Sequence, residues 1–485
     1  MSVIDYIFKL NFTFNAWLWS APFFCILIGS GLFFSFRFGL IQFKGFFHSC
    51  SLLFKGKGKS EGCGEISPFR ALTTALAGTI GTGNVVGVAA AILIGGPGAI
   101  FWMWVSAFVG MAAKFASCTL AVHFRQVDGN GKVQGGPMYY ILRGLGNNYQ
   151  WLAKAFAFFT ICASFGIGTM FQVNNFAINL HFLCSNGGEP SFYFRLFSGL
   201  IYAGVLAFII VGGVKKIGAA AGKIVPFMFV LYVILAAVIL FKYSAAIPAV
   251  FISIFKCAFI APSALMGGLF GAVIKQGLAR GLFSNEAFLG SASIAHSAAK
   301  TKSAVGQGLI AMLGPVIDTI VVCTLTALVI LVTGATEVSN VTGQLTSVAF
   351  QIGLGSYLGA KSISFIILLL AFSTTLSWSY YGNRASHYLF GSKGITWYHL
   401  VYLVTAVIGA CIKIDSVIIF SDTANGMMAM CNLLALFILS PLVAKLTKSY
   451  FNKRRSLSPQ TLIPKLKTSV SITSNVVTEN SGTLK

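Results

Sequence analysis

Charge is what this chain of 485 residues has least of. Asp, Glu, Lys and Arg make up 9% of it, against 56% hydrophobic residues, where a soluble domain carries about 25% charged residues. That shortage excludes a surface dissolved in water and leaves the lipid bilayer as the solvent for most of the chain. Paired cysteines are also missing. Ten cysteines are scattered with no Cys-x-x-Cys, which excludes a disulfide framework or zinc spacing. Cys118, Cys162, Cys323, Cys411 and Cys431 lie in apolar runs, where a thiol behaves as a small hydrophobe. Alternating segments of about ten residues are absent, which argues against a barrel. The start, with Asp5 and Lys9, lacks a basic n-region and a small-residue cleavage site, so it does not read as a cleaved signal peptide.

What the chain has instead is a series of uncharged runs of about 20 residues, the length a helix needs to cross the hydrocarbon. Eleven crossing segments are expected, at 15–36, 70–94, 98–123, 151–181, 197–213, 219–241, 255–275, 304–333, 361–383, 396–413 and 423–444. The formal charge of +23 would suggest nucleic acid in a soluble protein. Here it reads as basic loops gathered on the cytoplasmic side, and no nucleic-acid partner is expected. With the N-terminus outside, 26 Lys and Arg fall inside and 6 outside. That split orients the chain N-out and C-in, as a multi-pass protein of the cell inner (plasma) membrane.

Residues 40–54, punctuated by Lys44 and His48, suit a helix lying in the interface. The chain divides into an N-terminal helix with that amphipathic cytoplasmic segment (1–69), a core (70–446) and a cytoplasmic tail (447–485). The tail, rich in Ser, Thr and Asn from about Ser456, reads as disordered.

One stretch contradicts its surroundings. "AGTIGTGNVVGV", Ala77 to Val88, lies in a run without charge from Ala71 to Ala113, yet gathers three glycines, two threonines and an asparagine between Gly78 and Asn84. Each glycine costs about 1 kcal/mol against alanine inside a helix. Packing alone would account for Gly83 and Gly87, spaced Gly-x-x-x-Gly. The sharper reading is an unwound point at mid-membrane, where freed carbonyls coordinate a sodium ion and the next half-helix N-terminus attracts a carboxylate. A small amino acid carries such a carboxylate. Transporters built this way often have a second broken helix in the matching half. "APSALMGGLFGAVIK", Ala261 to Lys275, is the candidate, interrupted by Pro262, Gly267, Gly268 and Gly271. The second and seventh segments would then open two inverted five-helix repeats preceded by one extra helix.

Four stretches carry a resemblance: "GTGNVVGVAAAILIGGPGAIFWMW" (Gly81–Trp104), "GGPMYYI" (Gly135–Ile141), "GLARGLFSNEAFLGSA" (Gly277–Ala292) and "IDTIVVCTLTALVIL" (Ile317–Leu331). Together they resemble the alanine or glycine:cation symporter family, which is similar in architecture to the leucine-transporter fold. The resemblance implies an all-α membrane protein that moves alanine or glycine with sodium by alternating access, with protons as the alternative coupling ion. It implies no organic cofactor. Phe288, Val85 and Val86 depart from the family's usual residues, which bears on fine substrate preference. The oligomeric state stays open, a monomer included.

By the same resemblance the sodium ligands are Thr374 and Thr375, from "FSTTLSW", with the backbone carbonyls of Ala77 and Ile80. Of the consecutive hydroxyls Ser373, Thr374 and Thr375, at most two can face one ion. The plainer alternative is hydroxyls bonded back to their own helix. Gly81, Thr82, Gly83 and Asn84 would donate to the substrate carboxylate, and the carbonyls around Gly267 and Gly268 would receive its ammonium. Gln172 is expected to touch substrate, or else to bridge helices. Trp378 would wall the site and limit side-chain size, or else anchor at the interface.

Lys114 and Asp318 are intramembrane charges, which must be paired or shielded. Lys114 is expected to snorkel. Asp318 is too deep for that and either pairs with a neighbouring polar group or couples the ion. Arg280 and Glu286 are expected to form a cytoplasmic gate, or else an exposed ion pair. An enzyme is the rival class: Ser293 and His296 stand three apart, but no nucleophile-elbow pattern and no His-Glu-x-x-His accompanies them. A channel would more often build its pore from identical short subunits.

Overall fold

The computed structural model of the chain describes residues 3–55, 62–127, 132–185, 188–259, 266–339, 342–412 and 414–456. Helices α1 (Val3–Leu18) and α2 (Ala21–Arg37) are bent by 44° where they meet. Two short helices, α3 (Ile41–Lys44) and α4 (Phe46–Lys55), cover the segment expected to lie flat. His48 on α4 hydrogen-bonds Tyr450 at 2.9 Å, so this segment is docked on the end of the last helix.

The run around Gly81 is broken. Helix α5 (Pro68–Thr79) starts with Pro68 behind Ser67, whose side chain accepts the Arg70 amide at 3.2 Å, the usual N-cap arrangement. It stops at Ile80, and Gly81 is extended. After a 3₁₀ turn at Thr82–Asn84, α6 (Val86–Gly95) resumes at 59° to α5. Gly81 has no space for a side chain: a Cβ there would lie 2.5 Å from the Thr374 hydroxyl.

Helix α7 (Ala99–His123) is 89% buried over its apolar window. A helix apolar on all sides belongs inside, and α7 is the central pillar. After a hairpin of β1 (Gln126–Val127) and β2 (Val133–Gln134) come α8 (Pro137–Leu145) and α9 (Gln150–Phe165). α9 continues through a π-helical turn at Gly166–Met170 into α10 (Phe171–Ser185). Helices α11 (Phe192–Ile210) and α12 (Gly213–Lys242) are each only 28% buried over their windows. Their exposed Phe208 and Phe241 face outward, as lipid-facing residues do.

The second break differs from the one expected. Helix α13 (Ile247–Phe259) precedes α14 (Met266–Asn285). Residues 260–265, with Pro262, lie outside the described residues, while Gly267, Gly268 and Gly271 stand within α14. The interruption follows α14 instead. Glu286 and Gly290 take left-handed conformations (φ 50° and 82°) before α15 (Ser291–Ser297). A Cβ at Gly290 would also meet Pro137 at 2.8 Å.

The two broken crossings run in opposite senses. Gly95 packs on Val273 and Gln276, and Gly83 on Phe283, so α6 and α14 are antiparallel. The far ends of α5 and α15 meet at a backbone bridge between Ile66 and Ala299. Lys275 and Arg280, which charge counting had grouped with Lys300 and Lys302, therefore stand on the half-helix before the second break, away from the Ile66–Ala299 end.

Helix α16 (Ala304–Ala311), a π-helical segment (Val316–Cys323) and α17 (Thr324–Val332) form one apolar span. Helices α18 (Ala335–Val338) and α19 (Thr342–Leu354) lead to α20 (Tyr357–Cys411). At 55 residues α20 would be about 80 Å long if straight, far more than a bilayer needs. Gly391, at φ 67°, folds it back on itself. Tyr402 donates to the Thr375 carbonyl at 2.8 Å and Asn383 meets His399 at 2.7 Å, contacts that only an antiparallel pair can make. Helix α21 (Ile414–Ser456) ends the described chain. It carries helix through 447–456, past the expected tail boundary at 447; residues 457–485 lie outside the described residues.

Length and composition alone give seven helices able to cross a membrane among the described residues, or nine if each bent pair counts as one.

Candidate functional site

Both breaks converge on one buried carboxylate. Asp318, 0% exposed, sits in the π-helical segment, where an extra residue per turn re-aims side chains. Its Oδ1 accepts from Asn84 Nδ2 at 2.7 Å, and its Oδ2 from the hydroxyls of Ser284 at 2.5 Å and Thr319 at 2.8 Å. Asn84 belongs to the first break and Ser284 to the last turn of α14. Asn84 also holds its own turn, since its Oδ1 accepts the Gly81 amide at 3.1 Å. Thr326 donates to the Asn84 carbonyl at 2.9 Å, and Thr346 to that of Val85 at 3.2 Å. Backbone groups freed by unwinding are thus partnered by neighbouring side chains, as they must be away from water.

Chemically this is an oxygen-rich set with one formal negative charge, the donor type that hard cations prefer. Lys114 adds the opposite charge nearby. Expected to snorkel, it is instead 1% exposed and donates to the Asn285 carbonyl at 2.9 Å. Glu286 and Asp318 are its electrostatic neighbours. The helix around Lys114 is too deep in the bundle for its amine to reach water.

Of the three consecutive hydroxyls, one faces the broken helix. Thr374 donates to the Ala77 carbonyl at 2.9 Å. Thr375 was expected beside it but turns to the opposite side, accepting from Tyr202 at 2.7 Å and donating to Ala371 at 2.9 Å. Successive helical residues are separated by about 100°, which puts one of the pair out of reach. Ser373 bonds Leu370. Ile80, the residue at which α5 ends, has ψ 83°, which turns its carbonyl out of the helical ladder and toward the break.

Thr82 donates to Gln172 Oε1 at 3.0 Å, and Gln172 donates to the Ile167 carbonyl at 3.1 Å. That ties the first break to the π-turn between α9 and α10. Trp378 is fully buried one turn from Thr374, packed on Gly168 so closely that a Cβ there would lie 2.5 Å away. The nearby Tyr381 hydroxyl is buried with no hydrogen-bond partner among the described residues. Phe283 covers Gly83 and meets Phe171 edge-on at 5.8 Å. Gly267 and Gly268 are not brought here. About 15 residues of helix separate them from Phe283, or about 22 Å. Gly83 and Gly87 do face α14, so the packing role holds beside the unwinding.

The expected Arg280–Glu286 gate is replaced by two other pairings. Arg280 lies 3.3 Å from Asp422 on α21 and 5.5 Å over the Phe283 ring, while Glu286 is buried and accepts from Ser291 at 2.6 Å. Glu286 stands in a left-handed turn before α15, whose first residue, Ser291, is the donor to its carboxylate. Sequence spacing had suggested the pairing; the partner of Arg280 is 142 residues away.

A second seal lies at the Ile66–Ala299 end. Arg125 donates to four backbone carbonyls: Ser297 at 2.9 Å, Ala299 at 2.6 Å, Cys63 at 2.6 Å and Thr301 at 3.0 Å. Burial lowers the Arg125 pKa from its ordinary value, though a guanidinium remains a cation throughout the physiological range. Glu65 accepts the Val133 amide at 2.8 Å and pairs with Arg384 at 3.5 Å. Nothing in residue spacing announces these contacts. Ser293 and His296 do not meet as a nucleophile and base: Ser293 bonds the Gly290 carbonyl, and His296 meets Gln307.

Comparison with known proteins accords with this geometry. A model described as the sodium:alanine symporter family matches residues 4–462. The chain is 42% identical to the sodium/alanine symporter AgcS of Methanococcus maripaludis, over 93% of this chain and 99% of that one. It is 36% identical to the probable sodium/glutamine symporter GlnT of Bacillus subtilis, over 91% and 90%. Among solved structures it matches the crystal structure of MhsT in complex with L-phenylalanine. The TM-score is 0.56 at 13% identity, covering 80% of this chain and 99% of that one, a likeness of fold.

Proposed function

From the premise that this chain belongs to the sodium:alanine symporter family, we propose that it imports alanine or glycine together with sodium by alternating access. It is a multi-pass membrane protein of cation-coupled amino-acid symport and not an enzyme. The finer reading rests on one observation: the two broken crossings share the Asp318 carboxylate, through Asn84 and Ser284.

Eleven crossings follow when α20 counts as two and α14 is added to the nine. The first precedes two inverted sets of five, of leucine-transporter type, with the N-terminus outside and the C-terminus in the cytoplasm of a plasma-membrane protein. Sodium would be held by Thr374 with the carbonyls of Ala77 and Ile80, and a cation at Asp318 would draw Asn84 and Ser284 together. The substrate carboxylate would then lie at the N-terminal start of α6, against Thr82, Gly83 and Asn84. Its ammonium would take carbonyls freed at the second break, in place of Gly267 and Gly268. Phe283 and Trp378 leave a short side chain as the best fit. Gln172 orients Thr82.

A buried carboxylate supports a second reading, in which Asp318 carries a proton instead. Purified protein in liposomes separates the two. A sodium gradient at equal pH should drive alanine or glycine accumulation; uptake driven only by a proton gradient would favour the second reading. No uptake of either amino acid under either gradient would overturn both.

A further inference from the structure

A cavity of about 750 Å³ opens at the basic end of the molecule, far in sequence from the site above, between the end of α2, the start of α3 and the last turns of α21. Its floor is apolar, with Phe38 and Ile41 buried and Phe451 half-buried. Its rim carries Arg37, Lys44, Lys448 and Arg454, all exposed. Among the described residues none of the four is paired with a carboxylate. Four cations converging without counter-charge repel one another, so something anionic should complete the rim.

We propose that this cavity binds the headgroup of an anionic phospholipid, its phosphate on the four cations and its glycerol and upper acyl chains on the apolar floor. Three features select a lipid. The cavity adjoins residues exposed as only lipid would leave them, Phe36 at 70%, Phe43 at 65% and Phe47 at 83%. Basic pockets between crossing helices at the cytoplasmic face are suited to such headgroups. The same turns of α21 add Lys445 and Lys453 on the next face, widening the positive field toward the leaflet. The chain beyond 456 is a poor alternative, because Lys465, Lys467 and Lys485 outnumber Glu479. Placing the cavity at the inner leaflet rests on the proposed orientation; the ligand chemistry does not.

Native mass spectrometry of the purified full-length protein tests this, with phosphatidylglycerol, phosphatidylcholine and inorganic phosphate as probes. Wild type should retain phosphatidylglycerol over phosphatidylcholine by about tenfold or more, with each rim cation contributing. Arg37→Gln, Lys44→Gln, Lys448→Gln and Arg454→Gln combined should lose that preference. Lys448→Gln alone should lose part of it, which keeps the test valid if the combined variant does not fold. Lys215→Gln with Lys216→Gln and Lys223→Gln, which removes cations of the same face elsewhere, should keep it. Equal retention by wild type and the rim variants would overturn the proposal, as would equal loss in the control variant. Displacement of the lipid by millimolar inorganic phosphate would show a site for a free anion instead.

Discussion

The two ends of the central site are closed by different means. At the end proposed to face outward, closure depends on side chains: the Phe171–Phe283 edge contact and the Arg280–Asp422 pair, 17% and 16% exposed. At the opposite end, proposed to face inward, closure also draws on backbone groups. Arg125 gathers four carbonyls, Glu65 donates its amide to Ala298, and Lys300 donates to Ile66. The Arg384–Glu65 pair there is 11% and 8% exposed. A side-chain seal opens when a few rotamers change. A backbone seal opens only when whole segments, here 62–67 and 297–302, move apart. The difference teaches that opening the Ile66–Ala299 end is the larger rearrangement, and under the proposed function cation binding at the breaks would supply the bias for it.

Three substitutions sharpen or break this contrast. Arg125→Ala should have the largest effect. Losing a charged donor from several carbonyls weakens the closed inner seal by about 2–3 kcal/mol, enough to raise thiol labelling of a cysteine placed at Ser297 by about thirtyfold. Unchanged labelling would mean the four contacts do not hold the seal. Glu65→Gln, which strands Arg384, should raise the same labelling by about tenfold, with part of the effect recovered in Glu65→Gln/Arg384→Gln. A double variant that labels as fast as the single would break the pairing argument. Asp422→Asn should have the smallest effect, about two- to fivefold on uptake, since a partly exposed pair contributes about 0–1 kcal/mol. It should leave Ser297 labelling unchanged; a change as large as that from Arg125→Ala would erase the distinction between the ends.

How much of this was legible in the sequence depended on the chemistry of each turn. The first break was readable because Gly81, Gly83 and Asn84 are poor helix formers in an apolar run. The return of α20 was readable as two segments because Arg384, His387 and Lys393 interrupt the hydropathy around Gly391. The second break was not. It lies at Glu286 and Gly290, with one glycine and a strained left-handed glutamate, while the Gly-rich stretch upstream, so far as it is described, is helix packed on α6. Gly83, Gly87 and Gly95 show why: small residues on one helix and on its partner serve close packing as readily as unwinding. Thr374 and Thr375 could not be separated without the helix phase. The charge pattern flags Lys114 and Asp318 as unusual and local spacing suggests Arg280 as half of a gate, but their partners at Asn285, Ser284 and Asp422 depend on tertiary contacts. Cys323 reads as a small hydrophobe and Ser284 carries no signal of its own, yet both touch the Asp318 cluster.

The central claim is that one buried carboxylate ties both broken crossings to the cation. Equilibrium binding of alanine to purified protein, measured across sodium concentrations for wild type and Asp318→Asn, tests it most directly. In wild type, saturating sodium should raise alanine affinity by about tenfold or more, a coupling of about 1–3 kcal/mol. In Asp318→Asn, which keeps the shape and removes the charge, most of that rise should vanish while the protein stays folded. Full sodium dependence in the variant would contradict the account.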